Sequence, residues 1–184
     1  MTSSSWSAVA AALFLAACTS TAKIDTRIRP GYSKKIHDVY VEMISASADV
    51  TPFLEQLDSA LTDRFGSRGI RTRVAVVDSV AMRDTAELRR ELAAFEPAFV
   101  LEVGQTGSAT MAGHLAGGSF DLILYEAGNE NAVWKGVLET SREGINMLAR
   151  GKRGAGVGSV DKTADAIVSA LEQDGLLPAP VRTN

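Results

Sequence analysis

Apolar and polar positions alternate with a period of two in some stretches of this chain and recur every three or four residues in others, and the two periods divide it into elements. From Lys35 to Ile44, Val39, Val41 and Met43 alternate with Asp38, Tyr40 and Glu42, which predicts a strand burying one face. Thr51 as N-cap and Pro52 at the first helical position open a helix whose Phe53, Leu54, Leu57, Leu61 and Phe65 form a single stripe, ended by Gly66 or Gly69. Ile70 to Val77 suits a strand, with Arg71 and Arg73 on its exposed face. Asp84 and Glu87 have the spacing of a capping box, Leu88, Leu92 and Phe95 mark the buried face of the helix that follows, and Pro97 stops it. Ala98 to Val103 is a near-continuous apolar run, the pattern of a central strand covered on both faces.

The glycine-rich stretch Gly104 to Gly118 holds one further expected strand, around Ser108 to His114, with a turn at Ala116 to Ser119. Ser119 to Glu126 and Ala132 to Thr140 read as antiparallel strands joined by the hairpin loop Ala127 to Asn131. Arg142 to Gly158 loses periodicity and reads as an exposed loop. Val160, Ala164, Ile167, Val168 and Leu171 then form a last helical stripe, closed by Gly175 with Leu176 packing back. The expected fold is mixed α/β: one sheet in the order β-α-β-α-β-β-β-α with an extra strand, helices packed on one or both faces, and no internal repeat.

Ahead of this pattern, Trp6 to Ala17 is a short apolar run, too short for a bilayer span and of the length of a secretory signal core. Leu15-Ala16-Ala17-Cys18 resembles the lipobox of bacterial lipoproteins, whose cysteine carries the lipid after cleavage just before it, and Cys18 is the single cysteine of the chain. The segment Met1 to Ser5 departs from the usual signal in carrying no Lys or Arg. The resemblance implies a signal peptide over 1–17, a lipidated Cys18 with a tether over 18–34 containing at most an edge strand, an α/β domain over 35–177 and a frayed tail over 178–184. A lipoprotein of this class carries two or three acyl chains, palmitate among them, enough for stable anchoring. Thr19 after the cysteine, by resemblance to the enterobacterial sorting rule, implies the outer membrane, with the domain facing the periplasm.

Composition narrows the chemistry. With 184 residues, 46% hydrophobic and 22% charged, the chain has room for one domain with a sizeable core. A net charge of −3 supplies no field for a polyanion, so nucleic acid is not an expected partner. His37 and His114 lack metal-ligand spacing, and no metal or cofactor is expected. The run Gly151 to Thr163 is not a phosphate loop, because Asp161 rather than Gly precedes Lys162. There is no G-x-S-x-G elbow. Glu42, Glu102, Asp121 and Glu126 lie on expected strands, where a carboxylate pair for hydrolysis and a solvated sheet face look alike. Arg142, Arg150, Lys152 and Arg153 form a cationic patch, read either as a solvated loop or as a partner contact. Trp134 belongs to the core if it points inward and anchors a partner if it points outward.

The helix leading into Ala98-Phe99-Val100-Leu101-Glu102-Val103-Gly104, and Leu122-Ile123-Leu124-Tyr125 followed after a turn by Val133-Trp134-Lys135-Gly136, resemble small periplasmic domains of envelope proteins, namely the LpoB and CsgG lipoproteins and the amino-terminal domain of TolB. The resemblance implies an α/β domain without a travelling catalytic motif. The expected function is a lipid-anchored accessory lipoprotein that binds another envelope protein and supports assembly or regulation of an envelope complex, not an enzyme. The alternative is a periplasmic carrier for a small ligand, lipid or glycan, which a deep apolar pocket beneath Gly104 to Gly118 would favour.

Overall fold

The computed structural model describes residues 20–78, 85–111, 114–142 and 157–178. Over them the chain forms β1 (Ser20–Ile28), β2 (Asp38–Ser45), α1 (Thr51–Gly66), β3 (Arg71–Asp78), α2 (Thr85–Phe95), β4 (Phe99–Met111), β5 (His114–Glu126), β6 (Ala132–Arg142) and α3 (Val157–Gln173). The strands make one six-stranded mixed sheet in the order β1-β6-β5-β4-β2-β3, and the expected α/β class is what the chain adopts. Strands β3, β2 and β4 run parallel, joined through α1 and α2, because parallel neighbours need a crossover connection. From β4 to β5, β6 and β1 the pairing is antiparallel.

Register determines which residues share a face. Val39, Val41 and Met43 of β2 stand beside Phe99, Leu101 and Val103 of β4, and the same face continues through Leu122 and Leu124 of β5 to Trp134 and Leu138 of β6. These side chains are buried under α1 and α3 together with Leu54, Leu57, Leu61, Ile167 and Leu171. Arg64 ties the two helices together, reaching Asp161 and Asp165 at 2.8 Å each. The shorter α2 lies on the opposite face, where Tyr40 meets Phe95 at 6.2 Å between ring centroids and its hydroxyl bonds Glu91. Gly175 takes φ +72°, the left-handed turn expected at the end of α3, and Leu176 N–H donates back to the Leu171 carbonyl at 2.8 Å.

Several expectations change. The segment read mainly as a tether contains a nine-residue edge strand, β1, paired with β6 from Ser20↔Arg142 to Ile28↔Trp134. Its inward positions Ala22, Ile24 and Ile28 alternate with Lys23, Asp25 and Arg27, a period of two carried by few and small apolar groups. The extra strand around Ser108 to His114 and the turn at Ala116 to Ser119 are absent from the described residues. Instead β4 and β5 are one long hairpin whose ladder reaches Met111↔His114, with irregularities at Gln105/Gly107 and Ala109/Thr110. Backbone bonding, which is indifferent to side-chain polarity, extends both strands through this glycine-rich sequence. At the start of α1, Val50 rather than Thr51 is the cap and makes no side-chain cap bond, while the Thr51 hydroxyl is 3.3 Å from Ser45 Oγ. The loop expected over Arg142 to Gly158 is shortened at both ends, because Arg142 still pairs in β6 and Val157 and Gly158 already belong to α3. Its remaining residues 143–156, with Arg150, Lys152 and Arg153, lie outside the described residues, as do the signal segment with Cys18, the capping-box Asp84 and residues 179–184.

Candidate functional site

Strand β6 separates the two faces residue by residue. Trp134 points inward, is 1% exposed and donates its indole N–H to Asp174 Oδ2 at 2.6 Å, so of its two readings the core one holds and it presents no partner anchor. A satisfied donor is what allows so large a ring to be buried. The ring lies over Gly136, where an added Cβ would come within 2.9 Å of the indole and 3.3 Å of Ile24. Lys135 and Val137 point the other way, onto the sheet face that α1 and α3 do not cover, and Val137 is 48% exposed.

On that open face, antiparallel pairing puts Arg27 of β1 directly opposite Lys135 of β6, and Lys135 opposite Ile123 of β5. Like charges at directly opposed positions repel. No described carboxylate pairs with either, and the neighbouring Asp25 is bonded to Lys23 at 3.2 Å. Beside this pair, at the end of the sheet where β1 finishes and the β5–β6 hairpin turns, Arg29, Tyr125, Glu130, Asn131, Ala132 and Lys135 line an open depression of about 460 Å³.

Its walls are fixed by local bonding. Nη2 of Arg29 donates to the carbonyls of Asn131 and Ala132, both at 2.8 Å, and the Arg29 amide donates to the Val133 carbonyl at 2.9 Å, so the guanidinium is clamped to the hairpin. It also lies 6.0 Å from the centre of the Tyr32 ring. The Asn131 side-chain amide is turned toward Asn129 Oδ1 at 3.2 Å. Burial, with Glu102 as both acceptor and negative neighbour, pushes the Tyr125 hydroxyl above its ordinary range. The polar groups that remain uncommitted in the lining are therefore chiefly charges.

Of the four strand carboxylates, Glu42 and Glu102 stand directly opposite one another across β2 and β4 on the face away from α1 and α3, Asp121 lies on that same face opposite Gly104, and Glu126 alone turns to the helix-bearing face. There Lys34, 2.7 Å away, and the Tyr32 hydroxyl, at 2.8 Å, hold the Glu126 carboxyl below its usual range, while burial and Glu126 push Tyr32 up. His37 is exposed, and no group of metal-binding side chains occurs among the described residues. Among the described residues no helix is long and apolar enough to cross a membrane. Arg142 ends β6 opposite Ser20, at the other end of the sheet from the depression. Arg27, Arg29, Tyr125 and Lys135 were not singled out as site residues from sequence. The alternation that exposes Lys135 was visible there, but its juxtaposition with Arg27 depends on β1 pairing with β6.

No known protein family matches the chain, and no curated protein matches it. Solved structures do match. The PelC dodecamer from Paraburkholderia phytofirmans shares 13% identity with a TM-score of 0.53, covering 86% of this chain and 100% of that one. A point variant of the same PelC, also a dodecamer, shares 14% identity with a TM-score of 0.53, covering 86% of this chain and 99% of its own. At this identity the likeness establishes the fold.

Proposed function

We propose that this chain is a lipid-anchored accessory lipoprotein of the outer membrane whose periplasmic domain binds another envelope protein and supports assembly or regulation of an envelope complex, with no catalysis of its own. The observation that carries the reading is the open sheet face. It ends in an unneutralised cationic pair and a rigid-walled depression, at the opposite end of β1 from Cys18. Nine strand residues at about 3.4 Å each separate the two ends by roughly 30 Å, so an anchor at Cys18 leaves that surface directed away from the membrane.

The dodecameric state of the PelC neighbours supports one addition, that several copies of this chain assemble on the membrane. The resemblance to LpoB, CsgG and TolB domains belongs to the same proposal. A carrier role is less well supported. The space beneath β4 and β5 is occupied by Phe120, 5.9 Å from Phe53 in a stacked pair, with Leu122 and Leu124 fully buried beside it.

The test is intact mass and membrane fractionation of the wild type beside Cys18→Ala, followed by native mass measurement and crosslinking with identification of captured proteins. A lipidated wild type that is released by the substitution and captures a specific envelope protein is the expected result. A soluble, unmodified wild type overturns the reading.

A further inference from the structure

We infer that the depression at the far end of β1 and β6 is a docking site for an acidic peptide segment, whose carboxylates are received by Arg27, Arg29 and Lys135. The inference deepens the accessory reading above and rests on it, by naming the chemistry of the partner.

Three observations converge. Arg27 and Lys135 face one another across the β1–β6 ladder with no described carboxylate between them. Holding two cations in register costs free energy, and that cost falls when an external carboxylate bridges them. Arg29 is held by one nitrogen on two successive hairpin carbonyls, and no described side chain accepts from Nε or Nη1. A guanidinium immobilised in this way presents its remaining donors in a fixed fork, the geometry that suits a carboxylate. Finally, the Asn131 side-chain amide N–H is already bonded to Asn129 Oδ1, which leaves the cations as the prominent side-chain donors at the depression.

The position selects among anions. A lipid phosphate of the anchoring membrane lies at the wrong end of the sheet, about nine strand residues away, if Cys18 carries the anchor. The depression is open rather than enclosed, as a site for part of an extended chain is. Glu130 stands in the lining as a like charge to the proposed ligand, so removing its charge strengthens binding.

The probe is a fluorescein-labelled hexaglutamate peptide, with hexaglutamine as the neutral comparison, titrated by fluorescence anisotropy against the full chain. Hexaglutamate is expected to bind and to weaken as salt rises, and hexaglutamine not to bind. Arg27→Glu with Lys135→Glu is expected to weaken binding at least tenfold, and Glu130→Gln to tighten it about two- to threefold. Two Arg→Glu changes on the exposed side of α2, at Arg89 and Arg90, change net charge equally and are expected to leave binding within about twofold, which separates a site from a diffuse field. Far-ultraviolet circular dichroism and melting temperature of each variant identify any loss of fold, and Glu130→Gln, which acts in the opposite direction, cannot gain affinity through unfolding.

Equal loss in the α2 and site variants, absence of binding by the wild type, or preferential competition by polygalacturonate over polyglutamate overturns the inference, the last in favour of an acidic glycan. The two levels fail separately. If the wild type is lipidated and captures an envelope protein but the Arg27→Glu, Lys135→Glu variant captures it equally, the site is wrong and the accessory reading stands. If the wild type is unmodified and soluble, the accessory reading falls whatever the peptide does.

Discussion

Strand β6 carries two different surfaces on one backbone. Its inward residues, Trp134, Gly136 and Leu138, are interlocked with Ile24 and α3, whereas its outward residues, Lys135, Val137 and Glu139, stand in solvent. The inward set is constrained in shape: the ring of Trp134 needs both the missing side chain of Gly136 and the carboxylate of Asp174. The outward set is constrained in charge alone, and so is free to serve recognition. A change of one position along the strand moves a substitution from a packing problem to an electrostatic one.

The largest effect expected from breaking this contrast is at Trp134. Trp134→Ala removes a buried ring and leaves Asp174 without its donor, and should cost about 3–5 kcal/mol in urea unfolding. A cost below about 1 kcal/mol would mean that the ring is not packed as described. Gly136→Val inserts atoms where the indole lies, and should cost about 1–3 kcal/mol while altering the tryptophan emission spectrum. An unchanged spectrum would show that the close approach is not formed.

The Glu126 cluster provides a smaller, pH-dependent effect. Because Lys34 and Tyr32 hold this carboxyl below its ordinary range, its contribution to stability is complete above the unfolded value of about 4.3 and is lost as pH falls through the lower folded value. Glu126→Gln should therefore flatten the stability profile below about pH 5 and leave its slope between pH 6 and 8 unchanged. The reverse pattern would contradict the assignment. The smallest change is expected at Val137, where Val137→Ser on the open face should alter unfolding free energy by no more than about 0.5 kcal/mol. A loss of 2 kcal/mol there would mean that this face is covered in solution.

The helical side of the fold was legible in sequence because it is written in large apolar residues. The stripes of α1 and α3, the hairpin loop before Ala132 and the glycine turn at Gly175 all follow from spacing that side chains announce. Strand β1 and the far half of the β4–β5 hairpin were only partly legible, because backbone ladders hold them and their side chains are small or polar. The candidate site was the least legible part. Arg27 and Arg29, at the end of β1, lie about a hundred residues before Tyr125 of β5 and Lys135 of β6, and no spacing along the chain encodes a meeting that only register produces.

The β1–β6 pairing also has a mechanical consequence. Strand β1 starts two residues after Cys18 and is bonded to β6 over nine consecutive positions. Bonds in an antiparallel ladder lie across the strands, so tension applied along β1 from its amino-terminal side against the body of the domain loads them together in shear rather than one after another. An edge strand placed there is a lap joint. It transmits a pull on the preceding residues into the whole width of the sheet before any single bond has to yield.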